Sequence, residues 1–281
     1  MNETILAIFA HPDDECFGTG GTLAKHTARG GRVVLACATR GEAGEISDPA
    51  LATPETLGTV REAELRASCA VLGIEQLHFL GYRDSGMEGT PENDDPRCYH
   101  RADPVEATRQ LVALIREVKP QVVITFEPGG GYGHPDHVAV SRHTTAAYDL
   151  AGDPEAYPDA GAAWQPERLF YTAIPTSTFE VLRERMKALG LDTSMFDQSG
   201  AVRRSFTDDL ITSVVDVSAH LDTKSAAFEC HRTQHNPNSL FRRIPEELMR
   251  EVMAREYYAQ ARPAPDPGAA RSDDLFSGIQ E

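Results

Sequence analysis

Four short runs in the first half of this 281-residue chain are almost wholly apolar: 4–10, 33–39, 76–80 and 122–126. A strand with one wet face alternates apolar and polar residues, whereas a strand covered on both faces does not. The four runs therefore predict buried strands. Helical spacing fills the gaps over about Thr22–Arg29, Thr59–Leu72 and Pro104–Val118, with Gly30-Gly31, Gly73 and Pro120 as stops. Strand and helix in alternation imply parallel pairing through right-handed crossovers. The expected fold class is α/β: a Rossmann-like three-layer α/β/α sandwich with a mostly parallel sheet, plus a smaller C-terminal portion.

Beyond residue 150 the pattern weakens. Arg168–Ile174 and Ser213–Val217 read as strands, Ser177–Leu189 and Ser218–Cys230 as helices, and 242–260 as a further helix. The expected organisation is one domain over 1–262, with a core at 4–150 and a C-terminal lobe at 165–262. An extended tail follows over 263–281, opening on a proline-rich linker. Asp274-Leu275-Phe276 within it either docks or is disordered.

Two of the apolar runs end in the same chemistry. His11-Pro12-Asp13-Asp14-Glu15 follows Ile5–Ala10, and His134-Pro135-Asp136-His137 follows Val122–Phe126. Strand ends are where open α/β sheets place their reactive groups, and imidazoles with carboxylates are the ligand set of a hydrolytic zinc site. Successive side chains on an extended loop point apart. One of Asp13 and Asp14 can thus complete a metal site with His11 and His137 while the other faces the water admitted there. A three-ligand set leaves an open position, the mark of catalytic rather than structural zinc. If Asp136 and His137 open a helix near Val138, His134 stays in the loop, placed to stabilise an oxyanion or protonate a leaving amine. Asp136 is then a candidate to fix its tautomer. A single His-Pro-Asp is ordinary capping chemistry; two, each after a buried strand, are hard to explain that way. Ferrous iron suits the same donors as zinc.

Other readings are weaker. Gly18, Gly20 and Gly21 follow the first cluster, but GxGxxG is absent and two carboxylates there would repel a pyrophosphate. The formal net charge of −16 argues against nucleic-acid or anionic-membrane partners. Five scattered cysteines without a CxxC pair suggest reduced thiols, with Cys16 a packed residue rather than a nucleophile. The N-terminal apolar stretch is short and lacks a basic leader, so a cytoplasmic location is expected. His26, His78, His100, His143, His220 and His235 read as surface or core residues. The long polar loops 40–57 and 81–103 are of a length that is often functional.

Taken together, Ala10–Glu15 and His134–His137 resemble the PIG-L/LmbE family of zinc-dependent N-acetylglucosamine deacetylases. The likeness extends through Arg61-Glu62-Ala63-Glu64-Leu65, Asp84-Ser85-Gly86-Met87, Tyr132 and His231-Arg232-Thr233-Gln234, segments that point toward the mycothiol-type deacetylase and amidase branch. The resemblance implies zinc on His11, Asp14 and His137. It implies Asp13 as general base, His134 as electrostatic stabiliser or acid tuned by Asp136, and Tyr132 as a mobile residue that polarises the amide carbonyl. Arg61 and Asp84 would contact the sugar or its aglycone. Read without the resemblance, Arg61 and Glu64 form an i,i+3 surface pair and Asp84-Ser85-Gly86 a turn. The activity implied is hydrolysis of the N-acetyl group of a small amino-sugar conjugate. Its rivals are cleavage of thiol S-conjugates by the same site and metal-dependent amino-sugar binding without catalysis. The aglycone and the oligomeric state have no signature in the chain.

Overall fold

A computed structural model of the protein describes residues 3–194, 196, 206–235 and 244–279. Its sheet has seven strands: β1 (Thr4–Phe9), β2 (Arg32–Cys37), β3 (Gln76–Phe79), β4 (Val122–Phe126), β5 (Arg168–Ala173), β6 (Ser213–Asp216) and β7 (Arg255–Arg262). They lie in the order β3-β2-β1-β4-β5-β7-β6. The first five are parallel, with Ile5 opposite both Val33 and Val122, and β7 runs antiparallel to β5 and β6. This is the expected mostly parallel sandwich.

Alternation along β1 feeds two cores. Ile5, Ala7 and Phe9 enter one cluster with Leu23, Leu65 and Leu72, from α2 (Gly20–Ala28) and α3 (Leu57–Leu72). Leu6 and Ile8 enter the other with Leu111, Ile115 and Val140, from α4 (Pro104–Val118) and α5 (Pro135–Ala151). Burial of each large apolar side chain stabilises the fold by about 1.5–3 kcal/mol. The start of α4 is set locally: Asp103 Oδ1 accepts from the amides of Val105 and Glu106 at 2.8 and 3.1 Å, and Pro104 occupies the first helical position.

Two sequence expectations are corrected. The stretch 242–260 is not one helix. Residues 242–243 lie outside the described part, α8 covers Glu246–Met253, and β7 begins at Arg255 to pair between β5 and β6. The segment after β6 is a 3-10 turn over Ser218–His220 leading into α7 (Leu221–Glu229), not a helix capped by Ser218. The C-terminal strands continue the sheet of the first half. The remaining long helix, α6 (Thr176–Ala188), packs with α8 through Leu182, Met186 and Leu248. Past Arg262 the chain runs exposed to residue 271, then buries Leu275 and Phe276, with Arg29 on Asp274 at 2.5 Å.

The glycine turn before α2 is plugged by protein. Glu256 of β7 accepts from the amides of Gly21 and Thr22 at 2.9 and 2.7 Å and from Lys224 Nζ at 2.7 Å. The helix N-terminus that holds a dinucleotide phosphate in related architectures here holds a buried carboxylate.

Candidate metal centre

In the strand order, β1 and β4 are neighbours whose crossovers leave in opposite directions. Such a switch point opens a crevice at the carboxyl ends of the strands, and both histidine clusters sit there. After β1, Asp13 adopts φ 107°, a conformation costly for a residue with a Cβ. It turns the chain into α1 (Asp14–Phe17) and sends the two aspartates apart. Asp14 Oδ2 accepts from the amides of His11 and Ala10 at 2.8 and 3.2 Å, leaving Oδ1 facing His137 Nε2 at 3.3 Å. After β4, α5 starts at Pro135 rather than near Val138, with His134 as its cap. His137 thus stands in the first turn, its ring stacked on Phe126 with centroids 4.0 Å apart.

Three donor groups converge. His11 Nδ1 lies 3.2 Å from His137 Nε2 and 3.7 Å from Asp14 Oδ2, and Asp14 Oδ1 is 3.3 Å from His137 Nε2. The outer ring nitrogens have acceptors of their own: His11 Nε2 meets Asp136 Oδ2 at 3.2 Å, and His137 Nδ1 meets the Gly130 carbonyl at 3.2 Å. With the outer nitrogens as donors, the inner ones carry lone pairs, and such a set of acceptors accommodates a cation between them, a proton or a metal ion. Tetrahedral bonds of about 2.0–2.1 Å separate ligand atoms by about 3.3 Å, close to the 3.2 and 3.3 Å from His137 Nε2 to His11 Nδ1 and Asp14 Oδ1. The donor set therefore fits a zinc-sized ion. The field points the same way. Burial alone would lower His11, but Asp84, Asp136 and Asp14 outweigh it and raise its affinity for positive charge. Burial likewise opposes ionisation of Asp14, yet His137 and His11 hold its carboxyl well below the usual range.

The nitrogens of His134 also come within 4.8 Å of those of His11 and His137. However, His134 Nδ1 accepts from the Asp136 amide at 3.1 Å, so the proton sits on Nε2. Burial and the two neighbouring imidazoles push His134 down to about 3. The ring is neutral and presents an N–H to the cleft, where Asp84 Oδ1 is 3.9 Å away. Asp136 pairs with a different histidine than expected. Its carboxylate reaches His11 and accepts from the amide of Ser85 at 2.9 Å and from the Ser85 hydroxyl, while its link to His134 runs through its own backbone. Sequence reasoning missed Ser85 in this role, because nothing in Asp84-Ser85-Gly86 signals a contact 51 residues away.

A cavity of about 430 Å³ opens above the cluster, lined among others by His11, Asp13, Arg61, Asp84, Tyr132 and His134. Its walls include Ala43–Ser47 and Gly86-Met87, from the two long polar loops. Arg61 is no surface residue. It is buried, and it donates to the carbonyls of Pro12 and Gly41 at 2.5 and 3.0 Å and to Asp13 Oδ2 at 3.1 Å. Burial lifts the Asp13 carboxyl to about 6 against the pull of Arg61. Glu64, one turn on, binds the amide and hydroxyl of Thr233 at 2.8 and 2.6 Å. The expected Arg61–Glu64 surface pair is thus two separate buried contacts. Asp84 accepts from the amides of Ala43 and Gly86 at 3.2 and 2.8 Å and faces His11 Nε2 at 3.5 Å. Tyr132 is 47% exposed at the mouth, its ring edge-on to His137 at 5.0 Å. The loop that carries it turns through Gly130 at φ 69°, where a Cβ would meet His137 Cβ at 2.8 Å. Only glycine can bring that carbonyl onto the His137 ring.

Comparison with known proteins gives a consistent neighbourhood. The PIG-L family model, GlcNAc-PI de-N-acetylase, matches residues 6–148. The 1D-myo-inositol 2-acetamido-2-deoxy-alpha-D-glucopyranoside deacetylase of Geodermatophilus obscurus is 39% identical over 286 residues, covering 98% of this chain and 97% of its own. The protein of the same name from Thermomonospora curvata is 41% identical over 295 residues, covering 98% and 96%. Among solved structures, the N,N'-diacetylchitobiose deacetylase of Pyrococcus horikoshii superposes with a TM-score of 0.65 at 20% identity, covering 92% of this chain and 83% of its own. That last likeness speaks for the fold alone.

Proposed function

This chain belongs to the PIG-L family of deacetylases, and from that premise we propose that it removes the acetyl group of an N-acetylglucosaminyl-inositol with zinc held by His11, Asp14 and His137. We infer one catalytic domain over 1–262, because strands on both sides of residue 150 share the sheet that carries the site. The observation that carries the reading is the convergence of His11 Nδ1, His137 Nε2 and the Asp14 carboxylate, with contacts of 3.2–3.7 Å, beside a second carboxylate, Asp13, in the same cleft. The names of the relatives supply the inositol aglycone. Ferrous iron suits the same donors.

When bound, the ion supplies Lewis acidity to a water and to the acetyl carbonyl. Asp13 takes the proton of the attacking water, since a carboxylate raised to about 6 is a stronger base than an ordinary one and is still ionised at neutral pH. Arg61 holds that carboxylate and its strained backbone in place. His134 donates Nε2–H to the developing oxyanion, and Tyr132 at the mouth is the second donor for that oxygen. As the carbon–nitrogen bond breaks, Asp13 returns its proton to the leaving amine. A neutral His134 has no proton to spare for that step. Asp84 accepts from a sugar hydroxyl.

The test is acetate release by the zinc-loaded protein, with Asp13→Asn as control. The panel is N-acetylglucosaminyl-inositol, N-acetylglucosaminyl-malate, N,N′-diacetylchitobiose and a thiol S-conjugate. The expected result is Asp13-dependent acetate from the inositol glycoside. Cleavage of the S-conjugate alone, at its internal amide, would replace the reading with an amidase, and tight amino-sugar binding without turnover would reduce it to a binding role.

A further inference from the structure

The proposed reaction makes no use of His231, a buried histidine that meets a carboxylate. His231 is fully buried on the segment after α7, 216 residues from Glu15, and its Nε2 lies 2.7 Å from Glu15 Oε1. Its Nδ1 is buried without any partner among the described residues. Leaving a buried ring nitrogen unpaired is unfavourable, and among the described residues the one polar bond of the imidazole is to Glu15. Glu15 in turn has donors on both oxygens. Oε1 receives His231 Nε2, the Ser68 hydroxyl at 2.5 Å and the Cys16 thiol at 3.1 Å; Oε2 receives the amide of Asp13 at 3.0 Å. That amide belongs to the residue at φ 107°.

We propose that the Glu15–His231 pair is a positioning device for Asp13, holding its strained backbone so that the carboxylate faces the cleft. The inference rests on Asp13 being the base. Asp13 cannot relax toward ordinary backbone angles without pulling its N–H from Glu15, and Glu15 cannot follow while three donors hold its other oxygen. One face of α3 completes the brace. Arg61 grips Pro12 and Asp13, Glu64 holds Thr233 two residues beyond His231, and Ser68 bonds Glu15. The C-terminal segment thereby fixes a residue of the first strand-end loop.

The experiment compares His231→Phe, which fills the space but cannot donate, with His231→Gln, whose amide N–H can. The full-length zinc protein is assayed for kcat, KM, metal content and melting temperature, and the crystal structure of His231→Phe is solved. Displacement of a catalytic group by about 1 Å costs on the order of a hundredfold. The expected result is a kcat loss of roughly ten- to a hundredfold in His231→Phe, with KM and metal content nearly unchanged, Asp13 out of its positive φ, and most of kcat restored in His231→Gln. A normal kcat in His231→Phe, an unmoved Asp13 backbone, or kcat falling with melting temperature equally in both variants would overturn it. If His231→Phe does not fold, Ser68→Ala removes another donor from the same oxygen and must lower kcat with metal retained; an unchanged kcat there also overturns the proposal. If the wild-type protein releases no acetate from any substrate, the functional reading fails, while the position of Asp13 in the variant still decides the brace.

Discussion

The protein has two buried histidine–carboxylate clusters whose carboxylates are adjacent in sequence, Asp14 in one and Glu15 in the other. Both bring three potential ligand groups together, yet they are opposite in their balance of protons. Around Asp14, the outer nitrogens of His11 and His137 face the acceptors Asp136 and Gly130, and with those nitrogens as donors the inner ones are acceptors turned toward the carboxylate. Around Glu15, a histidine N–H, a hydroxyl, a thiol and an amide all point at the carboxylate. Burial would lift Glu15, but His231 holds its carboxyl below the usual range, and burial pushes the Cys16 thiol up, so the thiol keeps its proton and its bond. The first cluster turns acceptors toward one another and opens to the cleft; the second surrounds one carboxylate with donors and is sealed. Composition does not separate a metal centre from a structural brace. The count of protons against lone pairs does.

The largest effect that tests this contrast is loss of the ion. Asp14→Ala leaves two imidazoles, and elemental analysis of the purified variant should find metal at background, with no turnover. Metal retained at wild-type level would mean that His134 is a ligand and that the acceptor argument names the wrong triad. Next comes Asp13→Asn, which should keep full metal content while kcat falls by about 10²–10⁴-fold, the usual worth of a positioned base. Loss of metal in that variant would move Asp13 into the coordination sphere.

The contrast also marks what the chain made legible. His11, Asp14 and His137 stand out because each lies in a loop or turn shortly after an apolar run, and local order carries a strand end and its loop together. The sealed cluster leaves no such trace, since His231 reaches Glu15 only through the path of the whole sheet. The same physics explains the misreading of 242–260. Arg255-Glu256-Tyr257-Tyr258-Ala259-Gln260-Ala261-Arg262 contains several good helix formers and follows α8 with only Ala254 between. No glycine or proline signals the change, and pairing with β5 and β6 overrides propensity. Arg61 and Glu64 show correct i,i+3 spacing, yet spacing alone does not say that one face of α3 is buried.

A smaller effect is expected one shell out. Each carboxylate network has a serine hydroxyl, Ser85 on Asp136 and Ser68 on Glu15. Because Asp136 orients His11, Ser85→Ala should weaken zinc affinity about tenfold, at the low end for partners of metal-bound histidines. Competition with a chromogenic chelator measures this directly. Ser68→Ala in the same assay should leave zinc affinity unchanged; a shift there would join the two clusters into one.

The smallest effect concerns a buried histidine with no carboxylate at all. Among the described residues, His143 on α5 meets the Tyr99 hydroxyl at 3.2 Å and the Arg142 guanidinium at 3.3 Å. Burial and then Arg142 lower it from 6.5 to about 4, opposite in direction to the rise at His231, where Glu15 overrides burial. Between pH 6.5 and about 4 the unfolded chain therefore binds a proton at this position that the folded chain does not, so stability rises with pH across the window and is lost as pH falls through it. Urea unfolding of wild type and His143→Gln across that range isolates the contribution, because the other titrating groups are common to both. The variant should lose less stability on acidification than the wild type. Parallel curves would show that the ring protonates in place without cost, and that burial alone does not set the charge of a histidine in this fold.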